Sequence, residues 1–205
     1  MNTERQRRSK DHRDTGTRQR LVEATQGCLR TRGLADTSSR AITDLAGANL
    51  AAITYHFGSK ERLVAVALAA ELEAWTRPVL ELLDEPGDPA TRLVGAVSAL
   101  NATFDAQRER LPGLLEVFLH AARDTDPDNP VTATWTDLRD RLTGVIDELR
   151  ARALVPAWVA PGAMAALILA VAAGTVVSVT VDPDGLGHRD IASQFANLLL
   201  AARPG

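Results

Sequence analysis

The chain has 205 residues, of which 45% are hydrophobic and only 4% aromatic, so alanine, leucine and valine must fill most of a core. The net charge of -3 is uneven: residues 1–62 hold twelve Lys/Arg and seven Asp/Glu (+5), whereas residues 63–205 hold eleven and nineteen (-8). The single cysteine excludes an internal disulfide and a zinc site built on thiolates. A basic N-terminal segment (1–62) followed by an acidic body (63–205) indicates that the N-terminal segment binds a polyanion.

Residues 1–14 are mostly polar and charged, and their composition predicts a disordered basic arm. The segment "RQRRSKDHR" (5–13) within it is either a solvated tail or a source of additional phosphate or minor-groove contacts. The charged N-terminus lacks the apolar stretch of a secretory signal. A cytoplasmic protein is therefore expected.

From Thr17 onward, apolar residues recur at three- and four-residue steps, which predicts a first helix that ends at Gly33. Ser38 or Ser39 can cap a second helix. The residues of this second helix predicted to face the core are Ile42, Leu45 and Ala46.

A glycine-containing turn at 47–48 leads to Asn49, which can cap a third helix. Ile53 and Phe57, four residues apart, are predicted to face the core, and Gly58 to end the helix. Two short helices joined by such a turn are typical of a helix-turn-helix, whose second helix enters the major groove of DNA. The sequence therefore predicts that the residues between Asn49 and Gly58 that do not face the core contact DNA.

The body of the chain predicts further helices, because all ten prolines lie from Pro78 onward and divide it into helix-sized pieces. The predicted ranges are 60–83, 90–110, 113–124, 131–152, 161–181 and 188–203. The segment "TVVSVTV" (175–181) also fits a strand on β-branching alone. Residues 163–181 carry no charge, so they fit either a membrane span or, as their Ala, Gly, Ser and Thr content favours, a helix buried between subunits.

The segment "TSSRAITDLAGANLAAITYHFGSKERL" (37–63) resembles the DNA-binding region of the TetR family of transcriptional regulators. The resemblance covers about residues 17–65. The positions that match the family pattern are Gly33, Thr37, Ser38, Ile42, Gly47, Tyr55, His56, Phe57, Ser59, Lys60 and Glu61. The positions that depart from it are Thr43, Leu45, Ala48, Asn49 and Thr54.

The resemblance implies which residues meet DNA. The expected set is Ser38, Ser39, Arg40, Asn49, Leu50, Ala51, Ala52, Thr54, Tyr55, His56 and Lys60. The serines and arginine that open the second helix would contact the DNA backbone. Leu50, Ala51, Ala52 and Thr54 would contact the bases, and Tyr55, His56 and Lys60 the phosphates. The alternative for Tyr55 and His56 is that they only pack the small domain.

The resemblance also implies an all-α fold of about nine helices. A three-helix helix-turn-helix DNA-binding domain (15–62) would follow the arm, and a larger helical domain (63–205) would bind a small molecule and form a homodimer through helices near 161–181 and 188–203. The implied function is a repressor that binds a palindromic operator and is released by its ligand. A transcriptional activator and a ligand-unresponsive DNA-binding protein are the alternatives, and no cofactor is implied.

Polar or aromatic residues within the apolar patterns of the body are candidates for ligand contacts, although ordinary core packing is the favoured explanation for Trp75, Phe104 and Trp135. They are Trp75, Asn101, Phe104, Phe118, His120, Arg123 and Trp135. His120 and Asp124 alone are too unspecific to predict a metal site. The sequence has no nucleophile elbow, phosphate-binding loop or zinc-protease motif, so an enzyme is not expected. The acidic body argues against a protein that coats DNA without reading its sequence.

Overall fold

A computed structural model describes residues 2–185, 187, 189–191 and 193–194, and it describes residues 2–14 by their backbone only. This part of the chain contains eight α-helices, one 3₁₀ helix and no strand, so the all-α prediction is confirmed. The helices are α1 (Asn2–Arg32), α2 (Ser39–Ala46), α3 (Leu50–Phe57), α4 (Lys60–Asp84), α5 (Pro89–Ala106), the 3₁₀ helix (Arg108–Arg110), α6 (Leu111–Arg123), α7 (Pro130–Ala151) and α8 (Pro161–Val181).

Most predicted helices occur within a few residues of the expected bounds, and the β-branched segment 175–181 is helical within α8. The predicted helix at 188–203 lies largely outside the described residues, including its apolar positions Phe195, Leu198 and Leu199. Contacts divide the chain into two compact units. The first contains Met1–Glu71 and Glu116–Val131, and the second contains Leu72–Leu115 and Thr132–Gly205. The functional division at residue 62 stays a prediction.

Helix α1 begins at Asn2, so residues 2–14 are helical and not the disordered arm that their composition predicts. Arg, Gln, Lys and Glu have high helix propensity, and no proline interrupts the chain before Pro78. The high charge of the segment removes any apolar face but does not prevent helix formation.

The core of the first unit joins four helices. Its buried residues are Leu21, Val22, Ala24, Cys28, Ile42, Ala46, Ile53, Leu63 and Ala67. The hydroxyl of Thr25, which is also fully buried, donates a hydrogen bond to the carbonyl of Leu21 at 2.7 Å. This bond removes most of the cost of burying a polar side chain among apolar ones.

Leu45 does not face this core, in contrast to the sequence prediction, and is 61% exposed. Ile42, Thr43 and Ala46 form the buried face of α2. At about 100° per residue, Leu45 points roughly 105° away from the centre of that face. Thr43 is buried because its hydroxyl donates to the carbonyls of Ser39 at 3.0 Å and Arg40 at 3.1 Å.

The turn between α2 and α3 depends on Gly47, whose φ of 59° and ψ of 42° lie in the left-handed region. The amide of Ala48, the next residue, donates to the carbonyl of Thr43 at 3.0 Å and closes the end of α2. A residue with a Cβ adopts this conformation only at a cost of about 1–2 kcal/mol. The glycine therefore fixes the angle at which α3 leaves α2.

The variant Gly47→Ala is expected to lower the free energy of unfolding by about 1 kcal/mol, and urea unfolding followed by circular dichroism measures it. An added Cβ meets no atom within 4 Å, so the cost comes from the backbone alone. Gly144→Ala is the matched control, because Gly144 lies inside α7 with the same open surroundings. It is expected to raise stability by about 0.5–1 kcal/mol. Changes of equal sign in the two variants would contradict this account.

The second unit has its own apolar core. It comprises Leu83, Ala96, Leu138, Leu142, Val145, Ile146, Val159, Ala165 and Leu169. Arg92 pairs with Glu148, and Arg141 with Asp84, at the edge of this core. Helix α4 contains Pro78, which has no amide hydrogen, so the carbonyl of Ala74 cannot receive the hydrogen bond of a regular α-helix from residue 78.

Helix α8 is the one helix of the described residues that is long and apolar enough to cross a membrane by length and composition, a test that core helices of soluble proteins also pass. Only 28% of its most apolar window is buried. The exposed large side chains of α8 are Leu167, Val177 and Val181. An apolar helix with such a face is available for contact with another apolar surface.

Candidate DNA-binding surface

Helix α3 is oriented by its inward side chains. Ile53 is 3% exposed, and Phe57 is half-buried against the core of the first unit. Asn49 caps the helix, since its side-chain oxygen accepts a hydrogen bond from the amide of Ala52 at 3.0 Å. With one face fixed on the core, the opposite face of α3 is directed to solvent.

The solvent face of α3 contains four of the predicted DNA contacts: Leu50, Ala51, Thr54 and Tyr55. Leu50 is 56% and Tyr55 70% exposed, which are high fractions for large apolar and aromatic side chains. Ala52, another predicted contact, is half-buried and packs against the core of the first unit, so it is less accessible than these four residues. Small residues beside an exposed hydroxyl and phenol are able to approach base edges and phosphates closely.

His56 is held between two aromatic rings. Its ring centroid lies 4.8 Å from that of Tyr55 at an interplanar angle of 81°, and 6.3 Å from that of Phe57. The guanidinium carbon of Arg18 lies 5.1 Å from the centroid of the Phe57 ring. These contacts restrict the rotamers of the side chains at the end of α3, so less conformational freedom is lost when they bind a partner.

The beginning of α2 forms the second part of the surface. The hydroxyl oxygen of Ser38 accepts a hydrogen bond from the amide of Ala41 at 3.2 Å, so Ser38 is the cap and Ser39 the first helical residue. Arg40 is exposed. The ammonium of Lys60 donates to the carbonyl of Thr37 at 3.0 Å, which places its charge directly before this helix. The amides of a first helical turn and a nearby ammonium both favour a phosphate.

Two arginines of α1 were missed by the sequence analysis. Besides Arg18, Arg20 donates from Nε to the carbonyl of Ala46 at 3.2 Å and from Nη2 to the hydroxyl of Thr17 at 3.0 Å. Arg20 thereby fixes the end of α2 against α1. The sequence feature that could have indicated these arginines is their position: Arg18 and Arg20 lie two residues apart at the predicted start of the first helix.

Arg62 is engaged by acidic groups within the first unit. Its Nη1 lies 3.0 Å from a carboxylate oxygen of Asp126 and donates to the carbonyl of Asp128 at 2.6 Å. The loop that carries these groups is ordered by its own side chains, because the amides of Asp126 and Asp128 donate to the preceding aspartates. Arg62 is therefore a less suitable phosphate ligand than Arg40.

The seven predicted ligand contacts divide between the two units. Trp75, Asn101, Phe104 and Trp135 belong to the second unit, and Phe118, His120 and Arg123 to the first. The rings of Trp75 and Phe104 are both buried and lie 6.1 Å apart. Asn101 lines an open cavity of about 650 Å³ together with residues that include Asp105 and Arg189.

Trp135 is half-buried against the core of the second unit. His120 Nε2 lies 3.8 Å from a carboxylate oxygen of Asp124, and Arg123 is exposed. No group of three or more His, Cys, Asp or Glu that could hold a metal ion occurs among the described residues. These placements do not define a ligand site on their own.

Two short helices, a left-handed glycine between them and an exposed second helix define a helix-turn-helix DNA-binding protein. Residues 21–67 match the sequence model of the bacterial regulatory proteins of the tetR family. This match confirms the resemblance to the DNA-binding region of the TetR family that the sequence predicts.

Solved structures show the same fold over almost the whole chain. A TetR transcription regulator from Haloarcula marismortui superposes with a TM-score of 0.74 at 20% identity, covering 92% of this chain and 98% of that one. The multidrug binding protein EbrR, complexed with imidazole, gives 0.67 at 21% identity, with 92% and 91% covered. SmeT, the repressor of the Stenotrophomonas maltophilia multidrug efflux pump SmeDEF, gives 0.64 at 19% identity, with 90% and 89% covered. A comparison with curated protein sequences finds no match.

Proposed function

We propose that the protein is a homodimeric repressor that binds a palindromic operator and is released from it by a small molecule. The observation that carries this proposal is the solvent face of α3, where Ala51, Thr54 and Tyr55 are exposed on a helix fixed by its cap and its core contacts. The first turn of α2, with Arg40 and Lys60 beside it, supplies phosphate contacts on the same unit.

Dimer formation is supported by α8. Its exposed Leu167, Val177 and Val181 lie on a helix without charged residues, and burial of such side chains between two copies removes apolar area from water. The predicted helix at 188–203 would complete the interface. A two-fold dimer presents two identical α3 helices, so the operator is expected to be an inverted repeat.

Ligand release is supported by the likeness of the fold of this chain to proteins that were solved with small molecules. EbrR was solved with imidazole, and SmeT, a repressor, was also solved with triclosan. We assign the ligand site of this chain to the second unit, where Trp75 and Phe104 are buried. A regulator of this kind works in the cytoplasm and needs no catalytic residues.

The proposal is tested by selecting fragments of the source genome with the purified protein near physiological salt, in parallel with a Tyr55→Ala/His56→Ala variant. We expect a few fragments that share an inverted repeat, each recovered by the unmodified protein and lost with the variant. An inverted repeat supports both the dimer and the assignment of α3 as the helix that contacts the bases. Uniform recovery of all fragments would indicate binding without sequence preference, and recovery of none would refute DNA binding.

A further inference from the structure

The indole N–H of Trp75 is a buried hydrogen-bond donor without a partner. Trp75 is 2% exposed, and its Nε1 makes no hydrogen bond within the described part of the chain. A buried tryptophan N–H usually has an acceptor, because an unpaired donor away from water costs free energy. An unpaired donor in the unit assigned to ligand binding therefore indicates an acceptor that the described part of the chain does not provide.

One aromatic ring lies beside this donor. The ring of Phe104 lies 6.1 Å from that of Trp75, centroid to centroid, at an interplanar angle of 54°. This tilted geometry leaves the two rings in edge and face contact and does not stack them in parallel. A polar atom of a bound molecule that reached the indole N–H would therefore lie near the ring of Phe104.

The buried hydroxyls that neighbour these residues in sequence are already used. Thr76 donates to the carbonyl of Leu72 at 2.9 Å, and Thr103 donates to the carbonyl of Ala99 at 2.8 Å. Each hydroxyl has one proton, which it donates in a hydrogen bond to a carbonyl of its own helix. Of these three side chains, Trp75 keeps a donor without an acceptor. Arg92 Nε is a second buried donor without one in this unit, but its guanidinium already pairs with Glu148.

The charge of the bound molecule is limited by its surroundings. Among the described residues of the second unit, the buried polar side chains are threonines, and no Asp, Glu, Lys, Arg or His is buried. A charged ligand would lose its hydration without gaining a buried partner of opposite charge. A cation would in addition meet the positive edge of the indole.

We propose that the small molecule sensed by this protein is a neutral aromatic compound with a hydrogen-bond acceptor, such as a carbonyl or ether oxygen, that accepts from Trp75 Nε1. Phe104 packs against its ring. This assignment rests on the proposed function, because it names the ligand class of the second unit. It makes Trp75 a specificity-determining residue, since its N–H selects compounds with an acceptor over those without one.

The test uses two neutral probes of nearly equal shape, 2-acetylnaphthalene, which has a carbonyl, and 2-ethylnaphthalene, which does not. In ¹⁵N-labelled full-length protein, the Trp75 indole signal is assigned by its loss in Trp75→Phe. The ketone is expected to shift the indole proton of Trp75 to lower field, as a new hydrogen bond does. The hydrocarbon is expected to bind without that shift.

Affinities of both probes provide the second measurement. Trp75→Phe keeps an aromatic ring but removes the donor. It should therefore lower the affinity for the ketone about 3- to 10-fold and the affinity for the hydrocarbon less than about twofold. Trp158→Phe, the same change at a tryptophan that is 64% exposed, should alter neither affinity. A purely structural role of Trp75 would weaken both probes equally.

The proposal is overturned if the ketone does not bind, if it leaves the Trp75 signal unshifted, or if Trp75→Phe weakens both probes alike. A preference for a cationic naphthalene of the same size would also overturn it. The outcome is independent of the DNA-binding function: the selection of operator fragments does not use the probes, and Trp75 lies outside the unit that contains α3.

Discussion

Replacing Tyr55 and His56 together by alanine is expected to lower the affinity for the selected operator about 1,000-fold. In the proposed dimer, each of the two α3 helices would lose two phosphate contacts, and four losses of about 1 kcal/mol each amount to about 4 kcal/mol. Folding should change little, because Tyr55 is 70% exposed and neither side chain belongs to the buried core. Fluorescence anisotropy with labelled operator and with random DNA, at one fixed salt concentration, measures the effect.

Trp158→Ala is the control for this variant, since it removes an aromatic side chain that is equally exposed but belongs to the second unit. Its operator affinity should equal that of the unmodified protein. Because phosphate contacts carry no sequence information, affinity for random DNA should fall along with operator affinity in the double variant. If the double variant binds the operator within about threefold of the original, Tyr55 and His56 only pack the small domain.

Ile42→Ala is expected to lower the free energy of unfolding by about 2–5 kcal/mol. Ile42 is fully buried at the centre of the first unit, where the deleted methyl and ethyl groups leave a cavity. A total stability of about 5–15 kcal/mol is typical of a domain, so this change removes a large part of it and should also weaken operator binding. Urea unfolding monitored by circular dichroism checks the value.

Leu45→Ala on the same helix separates burial from hydrophobicity. Leu45 is 61% exposed, so its truncation should cost no more than about 0.5–1 kcal/mol. Equal losses in the Ile42 and Leu45 variants would mean that α2 packs with both side chains inward, as the sequence alone predicts.

Local chemistry explains what the sequence predicted correctly. Ser38 and Asn49 cap their helices with a side-chain oxygen, and Gly47 and Gly58 end theirs with positive φ, because these functions depend on residues within one turn. The match of α4 and α8 to their predicted ranges has the same origin in prolines and apolar runs. The division of the chain into a helix-turn-helix region and a helical body followed from these signals.

Tertiary contacts explain what the sequence did not predict. Leucine is more apolar than threonine, yet Thr43 is buried and Leu45 exposed, because the angle of α2 against α1 decides which face is covered. Arg20 donates to the carbonyl of Ala46, which lies 26 positions away in the sequence. The pairing of Arg62 with Asp126 spans 64 positions. No local pattern encodes such distances, and the unpaired state of the Trp75 N–H is likewise visible only once its neighbours are in place.

Pro78 gives α4 a point of low bending stiffness. The helix has 25 residues and is therefore about 37 Å long, and the missing hydrogen bond to the carbonyl of Ala74 lies within one turn of Trp75. Any bending of α4 is therefore expected to be concentrated at Pro78 and not spread along the helix.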